Sequence, residues 1–328
     1  MKNLKQTYFI LGLLVSSCGS PKPLLVEDIR QAVPYKIAYN VLVDDEIYNY
    51  DVFTMNPDGS EKRNITKTPG VEWVYSAYED RLYVFSDRDT CRRCFSLYET
   101  NAYGDCFTKI SGDLLLDDSW IDSRKNGEEW IVKIRDKKHP TFKIIDRKGQ
   151  VVEDVSLPLG YANDPVFTGD GTSIIFRGSI VGSRLKRGFQ DELFEYDLES
   201  KNITQLTTYP KSDSTATLFD YHAGPPRMMK NGEISYPSKQ NGNYSLFVYN
   251  SLLNKSRQMT SDTLDEIWHD WSPNNEILFF DGRQSDSLVS SHIFSMDMKT
   301  KEVIQLTDTS FLFQQGPVYV EPPKIKLN

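Results

Sequence analysis

The chain has 328 residues, of which 12% are aromatic and 26% charged, and its formal net charge at pH 7 is -8. This negative charge disfavours non-specific binding to nucleic acid and close electrostatic contact with an anionic bilayer. The length beyond the N-terminal leader, about 290 residues, suits one large domain that buries roughly three quarters of the unfolded chain's surface.

The first 33 residues resemble a bacterial lipoprotein leader followed by a tether. Lys2 and Lys5 precede an apolar stretch, 8–15, that is too short to span a bilayer. Val15-Ser-Ser-Cys18 then resembles a lipobox, in which small residues flank the cleaved bond and the cysteine carries the lipid. We expect a signal peptide at 1–17, lipidation at Cys18 and a tether at 18–33. An ordinary signal peptide that contains a cysteine is the alternative. By resemblance to lipoprotein sorting in enteric bacteria, Gly19 in place of Asp favours the outer membrane.

A sixfold repeat organises residues 34–320. Each copy ends in a hydroxyl residue, at intervals of 45 to 53 residues: Thr66, Ser111, Ser156, Thr207, Thr260 and Thr307. A short strand and a turn precede each ending, as in Val52–Met55 followed by Asn56-Pro-Asp-Gly59. Periods of about 40 to 50 residues with four strands each indicate a β-propeller. We therefore predict an all-β, six-bladed β-propeller of four-stranded antiparallel blades, with a tail at 321–328.

The two ends of the repeat region predict how the ring closes. The first copy begins with the apolar strand 35–41 and lacks the inner strand that the other copies have. After the last copy, Gly316-Pro-Val-Tyr-Val320 resembles the inner strand Asp164-Pro-Val-Phe167 of a middle copy. We expect this C-terminal strand to complete blade one, which removes exposed sheet edges.

These repeats resemble those of the TolB-like family of six-bladed propellers. The matching stretches are Val52–Gly59, Thr168-Gly-Asp-Gly171, Asp270-Trp-Ser-Pro-Asn-Asn275 and the Thr or Ser endings, over roughly 35–320. The resemblance implies the propeller fold. TolB has a separate α/β domain ahead of its propeller, for which this sequence leaves no room, so the envelope-complex role of TolB is not carried over.

The strand order sorts the connections onto two faces. Connections between second and third strands, and between blades, form what we call the loop face; the remaining turns form the turn face. Long insertions are predicted on the loop face at 44–49, 87–93, 178–191, 208–220, 238–243, 261–266 and 282–291. Because function commonly resides on long loops held by a rigid scaffold, we place the binding surface there. The basic residues Arg184, Lys186 and Arg187 would suit acidic groups of a partner, or are merely solvated.

The four histidines, His139, His222, His269 and His292, are all predicted on the loop face. His222 and His269 would lie beside the central channel, near residues of adjacent inner strands, namely Asp164, Asp270 and Gln315. Such a group, with His139 as a further ligand, would suit a divalent metal. The alternative, which we favour, is that these side chains bond to the backbone of neighbouring blades. No cofactor is therefore predicted.

Three cysteines follow Cys18. Roughly 20 Å of extended chain separates Cys94 from Cys106, whereas a disulfide needs Cα atoms within about 7 Å. We therefore predict a Cys91–Cys94 disulfide and a buried free thiol at Cys106. No thioredoxin-like βαβ pattern surrounds the pair, and Phe95 in place of His excludes c-type haem attachment.

No nucleophile elbow, phosphate-binding loop or Ser-His-Asp pattern is visible in the sequence. The sequence favours a non-catalytic, monomeric propeller of the bacterial envelope, in the outer membrane or facing the periplasm, that touches the membrane only through its lipid. Its partner would be an envelope protein or a glycan, and not nucleic acid. The alternative is a carbohydrate-active enzyme of the metal-dependent polysaccharide lyase type, which would use His222 and His269.

Overall fold

The computed structural model describes residues 35–135, 140–261, 264–283 and 290–322. These residues form six four-stranded antiparallel sheets, the blades of a propeller ring, which confirms the predicted fold. The predicted signal peptide, the tether, the tail beyond residue 322 and His139 lie outside the described residues. Within the described ranges, no helix is long and apolar enough to cross a bilayer.

The blades follow one another along the chain, each with its first strand innermost except in blade 1. Blade 1 contains β1 (Lys36–Asp44), β2 (Asn49–Met55) and β3 (Arg63–Asn64). Blade 2 contains β4 (Glu72–Tyr78), β5 (Arg81–Ser86), β6 (Ser96–Asn101) and β7 (Thr108–Lys109). Blade 3 contains β8 (Asp122–Arg124), β9 (Glu129–Lys133), β10 (Thr141–Asp146) and β11 (Val151–Ser156). Blade 4 contains β12 (Tyr161–Phe167), β13 (Ser173–Ser179), β14 (Glu192–Asp197) and β15 (Ile203–Gln205). Blade 5 contains β16 (Arg227–Met228), β17 (Ile234–Gln240), β18 (Asn243–Asn250) and β19 (Lys255–Gln258). Blade 6 contains β20 (Asp265–Trp271), β21 (Ile277–Arg283), β22 (His292–Asp297) and β23 (Val303–Gln305), and the last strand is β24 (Gln314–Val320).

Strand β24 closes the ring by pairing antiparallel with β1, with Val320 opposite Lys36. It is therefore the innermost strand of blade 1, as predicted. Val318 and Val320 are fully buried there. The carboxylate of Asp270 in blade 6 accepts the backbone N–H of Tyr319 at 2.8 Å. The last strand is thus tied both to its own blade and to the preceding one.

Apolar side chains packed between neighbouring blades form the core. Between blades 6 and 1, Ile37 and Tyr39 of β1 belong to one buried cluster with Phe279 of β21 and Ile293 of β22. Each sheet in this way covers its faces with the sheets beside it. A single blade has no such cover, which is why the repeats stabilise one another.

The Thr or Ser that ends a repeat has a specific structural role. In five of the six copies its hydroxyl oxygen accepts a backbone N–H from the third strand of the same blade. The pairs are Thr66 with Val52 (3.0 Å), Ser111 with Leu97 (3.0 Å), Thr207 with Leu193 (2.9 Å), Thr260 with Leu246 (2.9 Å) and Thr307 with Ile293 (2.9 Å). Ser156, which ends the third copy, is exposed instead. This bond fixes the point where the chain leaves one blade for the next.

The connection between β17 and β18 corrects the long loop predicted at 238–243. The two strands continue until only Asn241-Gly242 is left between them. Both residues have positive φ, 53° and 91°, as in the tight hairpin turns that Asn-Gly favours. The Asn-Gly dipeptide was the signal that should have predicted a hairpin here. The long connections in this part of the ring are therefore 180–191, within blade 4, and 206–226, between blades 4 and 5.

Candidate functional site

The centre of the ring is filled by aromatic side chains and one arginine. The Arg227 guanidinium of blade 5 lies 3.8 Å from the centre of the Trp120 ring, and its Nη2 donates to the Tyr75 carbonyl at 3.2 Å. Trp120 also packs edge to face against Trp268, with ring centres 5.9 Å apart. Because side chains of blades 2, 3, 5 and 6 meet on the axis, we place a binding site on a face of the ring.

The two histidines predicted beside the channel have different partners. His222 Nδ1 lies 3.1 Å from Asp191 Oδ1. His269 lies within β20, not on a loop, and its Nε2 is 2.7 Å from the Ser235 hydroxyl. Its loop-face placement was wrong because β20 begins at residue 265, four residues earlier. Burial, aided by the charge of Arg227, lowers the pKa of His269 to about 3, so this imidazole is neutral at physiological pH.

The other residues of the predicted channel group also have separate surroundings. Asp270 holds Tyr319 of β24, and Gln315 lies opposite Asn40 of blade 1. In the part of the chain that the structure describes, no three His, Cys, Asp or Glu side chains are grouped closely enough to hold a metal ion. The predicted residues are thus distributed over several hydrogen-bond networks.

Asp164 belongs to a buried cluster of charges in blade 4. Its Oδ2 accepts bonds from Arg177 Nε and Nη2 at 2.9 and 2.6 Å, and Arg177 Nη1 donates to Asp191 at 2.7 Å. Burial alone would raise the pKa of Asp191, but its hydrogen bond with His222 and the charge of Arg177 hold that pKa below the usual value. Asp191 is therefore ionised, and its bonds to Arg177 and His222 fix the positions of residues 191 and 222 at the base of the loop face.

A pocket adjoins this cluster through His222. Its volume is about 210 Å³, and its walls come from the loops 180–191 and 206–226. The lining includes Arg184, Lys186, Phe189, Phe219 and His222. The structure thus brings two of the three predicted basic residues together with His222. Arg187 is exposed on the same loop.

The same two loops expose large apolar side chains. These are Ile180 (82% exposed), Leu185 (70%), Leu218 (55%) and Phe219 (61%). We call them, together with Arg184, Lys186 and Arg187, the blade 4/5 patch. Exposed apolar groups gathered in one region commonly mark interaction sites. Leu218 and Phe219 were not predicted from the sequence, where their signal is an apolar pair within a polar connection between blades.

The loop 206–226 is attached to the β17–β18 hairpin. The Asp213 carboxylate accepts the backbone N–H of Asn241 at 2.7 Å. The Thr215 hydroxyl accepts the N–H of Gly242 at 2.9 Å. The tight hairpin that replaces a predicted loop thus supports the neighbouring long loop. A loop held in this way loses less conformational entropy when a partner binds.

The cysteines differ in part from the prediction. Cys91 and Cys94 are joined in a disulfide, with Cα atoms 5.1 Å apart. Cys106 lies in the connection from β6 to β7, where it is only half-buried, and it is not a free thiol. The predicted buried free thiol at Cys106 is therefore wrong, since β7 has only two residues and leaves this connection at the surface.

Comparison with known proteins gives matches of structure. No protein-family model and no curated protein matches the sequence. TolB from Acinetobacter baumannii has a TM-score of 0.66 and 15% identity, over 88% of this chain and 67% of that chain. A structure described as TolB from Agrobacterium tumefaciens has a TM-score of 0.62 and 15% identity, over 87% and 92%. A chain of a nidogen/laminin complex has a TM-score of 0.59 and 8% identity, over 87% and 98%. The chain therefore has a TolB-like six-bladed propeller fold.

Proposed function

We propose that this protein is a non-catalytic propeller of the bacterial cell envelope that binds a protein partner through the blade 4/5 patch. The observation that carries this proposal is the patch itself, where four large apolar side chains are more than half exposed. They lie on two loops that meet around one pocket. An apolar centre with basic residues suits a protein surface that offers apolar side chains and carboxylates. Aliphatic side chains suit a protein better than a glycan, whose hydroxyl groups need polar partners.

Local charge supports the same choice of partner. The whole chain carries a net charge of -8, whereas the loop 180–191 contributes Arg184, Lys186 and Arg187 to the patch. A basic region on an acidic protein steers an acidic partner to one place and repels it elsewhere. The propeller fold alone would not support this function, because propellers serve many functions.

Capture from detergent-solubilised membranes tests the proposal. The variant Leu218→Glu/Phe219→Glu places two charges in the patch. The control Leu252→Glu/Leu253→Glu changes two side chains that are 94% and 68% exposed on the turn between β18 and β19. We expect wild type and control to recover the same envelope protein, and the patch variant to recover at least tenfold less. Equal recovery by all three, with unchanged melting temperatures, would refute the patch as the binding site.

We further propose that lipid on Cys18 tethers the protein to a membrane and that the folded ring is a monomer. The lipobox-like residues 15–18 support the tether. The variant Cys18→Ser should move the protein from the membrane fraction to the soluble fraction and lose the mass of the lipid. Its persistence in the membrane fraction would argue against the tether. Sedimentation of the soluble form should give the mass of one chain.

A further inference from the structure

The disulfide of blade 2 has surroundings that a purely structural crosslink does not need. Cys91 is exposed, whereas Cys94 is only 5% exposed. The Arg135 guanidinium, just after β9 of blade 3, places its Nη1 3.1 Å from the Cys94 sulfur. The same nitrogen donates to the Arg93 carbonyl at 2.6 Å, which fixes the guanidinium against the disulfide loop. Cys91 thus lies at the surface, and the Cys94 sulfur has a cation beside it.

We propose that Cys91–Cys94 is an exchangeable disulfide that oxidises an accessible pair of thiols on another protein. A cation next to a cysteine stabilises the thiolate over the thiol. A sulfur that is stable as a thiolate leaves more readily in disulfide exchange, and stabilising the reduced form makes the disulfide more oxidising. Arg135 therefore favours release of Cys94 when a thiolate attacks Cys91.

The exchange balances without a further reactant. A thiolate of the partner attacks the Cys91 sulfur, a mixed disulfide forms, and the bond to Cys94 breaks so that Cys94 leaves as a thiolate. The partner's second thiolate then attacks its own sulfur in the mixed disulfide and releases Cys91. Two electrons pass from the partner's dithiol to the Cys91–Cys94 pair, and the protons exchange with solvent.

The carboxylates around the loop have partners other than the Cys94 sulfur. The Asp87 carboxylate is occupied by backbone N–H groups, those of Val71 and Arg93, at 2.8 and 2.6 Å. Asp118 lies 3.9 Å from the Arg93 guanidinium. Arg92 is exposed between the two cysteines. Asp89 accepts from the Tyr98 hydroxyl, and Asp118 also accepts from the Tyr75 hydroxyl. These nearby carboxylates thus have partners other than the sulfur, while Arg135 faces the sulfur.

The backbone also keeps the two sulfurs together after reduction. The Cys94 N–H donates to the Cys91 carbonyl at 2.8 Å, and the Cα atoms are 5.1 Å apart. This backbone hydrogen bond is separate from the covalent bond, so it would hold the two sulfurs close to each other in the dithiol. The sequence did not suggest exchange because the cation is supplied by another blade, more than forty residues further along the chain.

A redox titration of the intact protein against mixtures of reduced and oxidised glutathione tests the proposal. Alkylation and peptide mass spectrometry would report Cys91 and Cys94 separately from Cys106. Arg135→Gln should lower the equilibrium constant for reduction about tenfold, which corresponds to about 30 mV. Arg135→Lys keeps the charge and should stay within about threefold of wild type. The control Arg257→Gln removes an exposed arginine of β19 in blade 5 and should leave the equilibrium constant for reduction unchanged.

Trapping a mixed disulfide at Cys91 gives an independent test of the first step of the exchange. In Cys94→Ser, the free Cys91 should form a mixed disulfide with oxidised glutathione while the propeller keeps its melting temperature. Equal equilibrium constants in wild type, Arg135→Gln and Arg257→Gln would overturn the proposal. So would a disulfide that is reduced only when the propeller unfolds, because it would then be a structural crosslink.

Discussion

Gly316 offers a sharp test of how the ring closes. It lies in β24 with a φ of +60°, and a Cβ at this position would be 3.0 Å from Asn40 Nδ2 and 3.2 Å from Trp268 Cε3. Its N–H donates to the Asp281 carboxylate at 3.2 Å. Gly316→Ala would therefore add a methyl group where blades 6 and 1 meet at the centre of the ring.

The cost has two parts. A left-handed backbone costs an L-residue roughly 1–2 kcal/mol, and an extra methyl group in a packed site costs about 1–3 kcal/mol. At about 2 °C per kcal/mol for a domain of this size, the melting temperature should fall by about 4–10 °C. Gly232→Ala is the matched control, because its φ is +82° and a Cβ there would have no neighbour within 4 Å. It should lose only about 2–4 °C.

Differential scanning calorimetry of the purified variants measures both shifts. We expect Gly316→Ala to lose clearly more than Gly232→Ala. Equal losses would mean that Gly316 is not crowded by Asn40 and Trp268. The placement of the closing strand against the centre of the ring would then be wrong.

Three further outcomes follow from the structure. Deleting residues from Gln314 onward removes β24 and should lower the melting temperature by far more than any point variant; an unchanged value would exclude this closure. Thr307→Val leaves the buried N–H of Ile293 without its acceptor and should lower the free energy of unfolding, measured with urea, by about 1–3 kcal/mol. Ser156→Ala, at an exposed repeat ending, should lower it by less than about 0.5 kcal/mol. Similar losses in the two variants would contradict the role given to the repeat endings. Burial raises the pKa of Asp281 to about 6, above about 3.9 in the unfolded chain, so ionisation costs up to about 3 kcal/mol of stability as the pH rises from 4 to 7. Asp281→Asn keeps an oxygen acceptor without that cost, so it should be more stable than wild type at pH 7 and lose this advantage at pH 4; an advantage that does not change with pH would contradict the buried-charge explanation.

The ring could be predicted from the sequence because most repeat endings make a hydrogen bond within their own blade. Thr207 and Thr307 bond to strands of their own blades, so the same short pattern recurs wherever a blade ends. The closing strand could also be predicted, because 316–320 resembles an inner strand. Contacts between blades could not be predicted in this way. The guanidinium of Arg135 reaches a cysteine of another blade, and no spacing in the sequence indicates it.

His269 shows why the candidate site was harder to predict than the fold. Its loop-face placement assumed that it preceded an inner strand, and that strand in fact begins at Asp265. An error of a few residues in a strand boundary moves a side chain from a solvent-exposed rim into the core. His222 lies on the connection between blades 4 and 5, and its position depends on Asp191, at the end of the loop 180–191. Strand boundaries and partners from distant segments therefore limited the prediction of the site.

Position within the repeat separates structural residues from candidates for function. Asp122 and Asp270 lie at corresponding places in blades 3 and 6, and each carboxylate accepts an N–H of the next inner strand at 2.8 Å, from Phe167 and Tyr319 respectively. Asp270, a predicted site residue, is thus explained by the ring. Arg135, by contrast, contacts a cysteine of the preceding blade, and the large apolar side chains of 180–191 and 206–226 are exposed. Residues whose bonds recur from blade to blade are needed for the ring. Candidates for function are therefore to be sought among the residues that do not recur in this way.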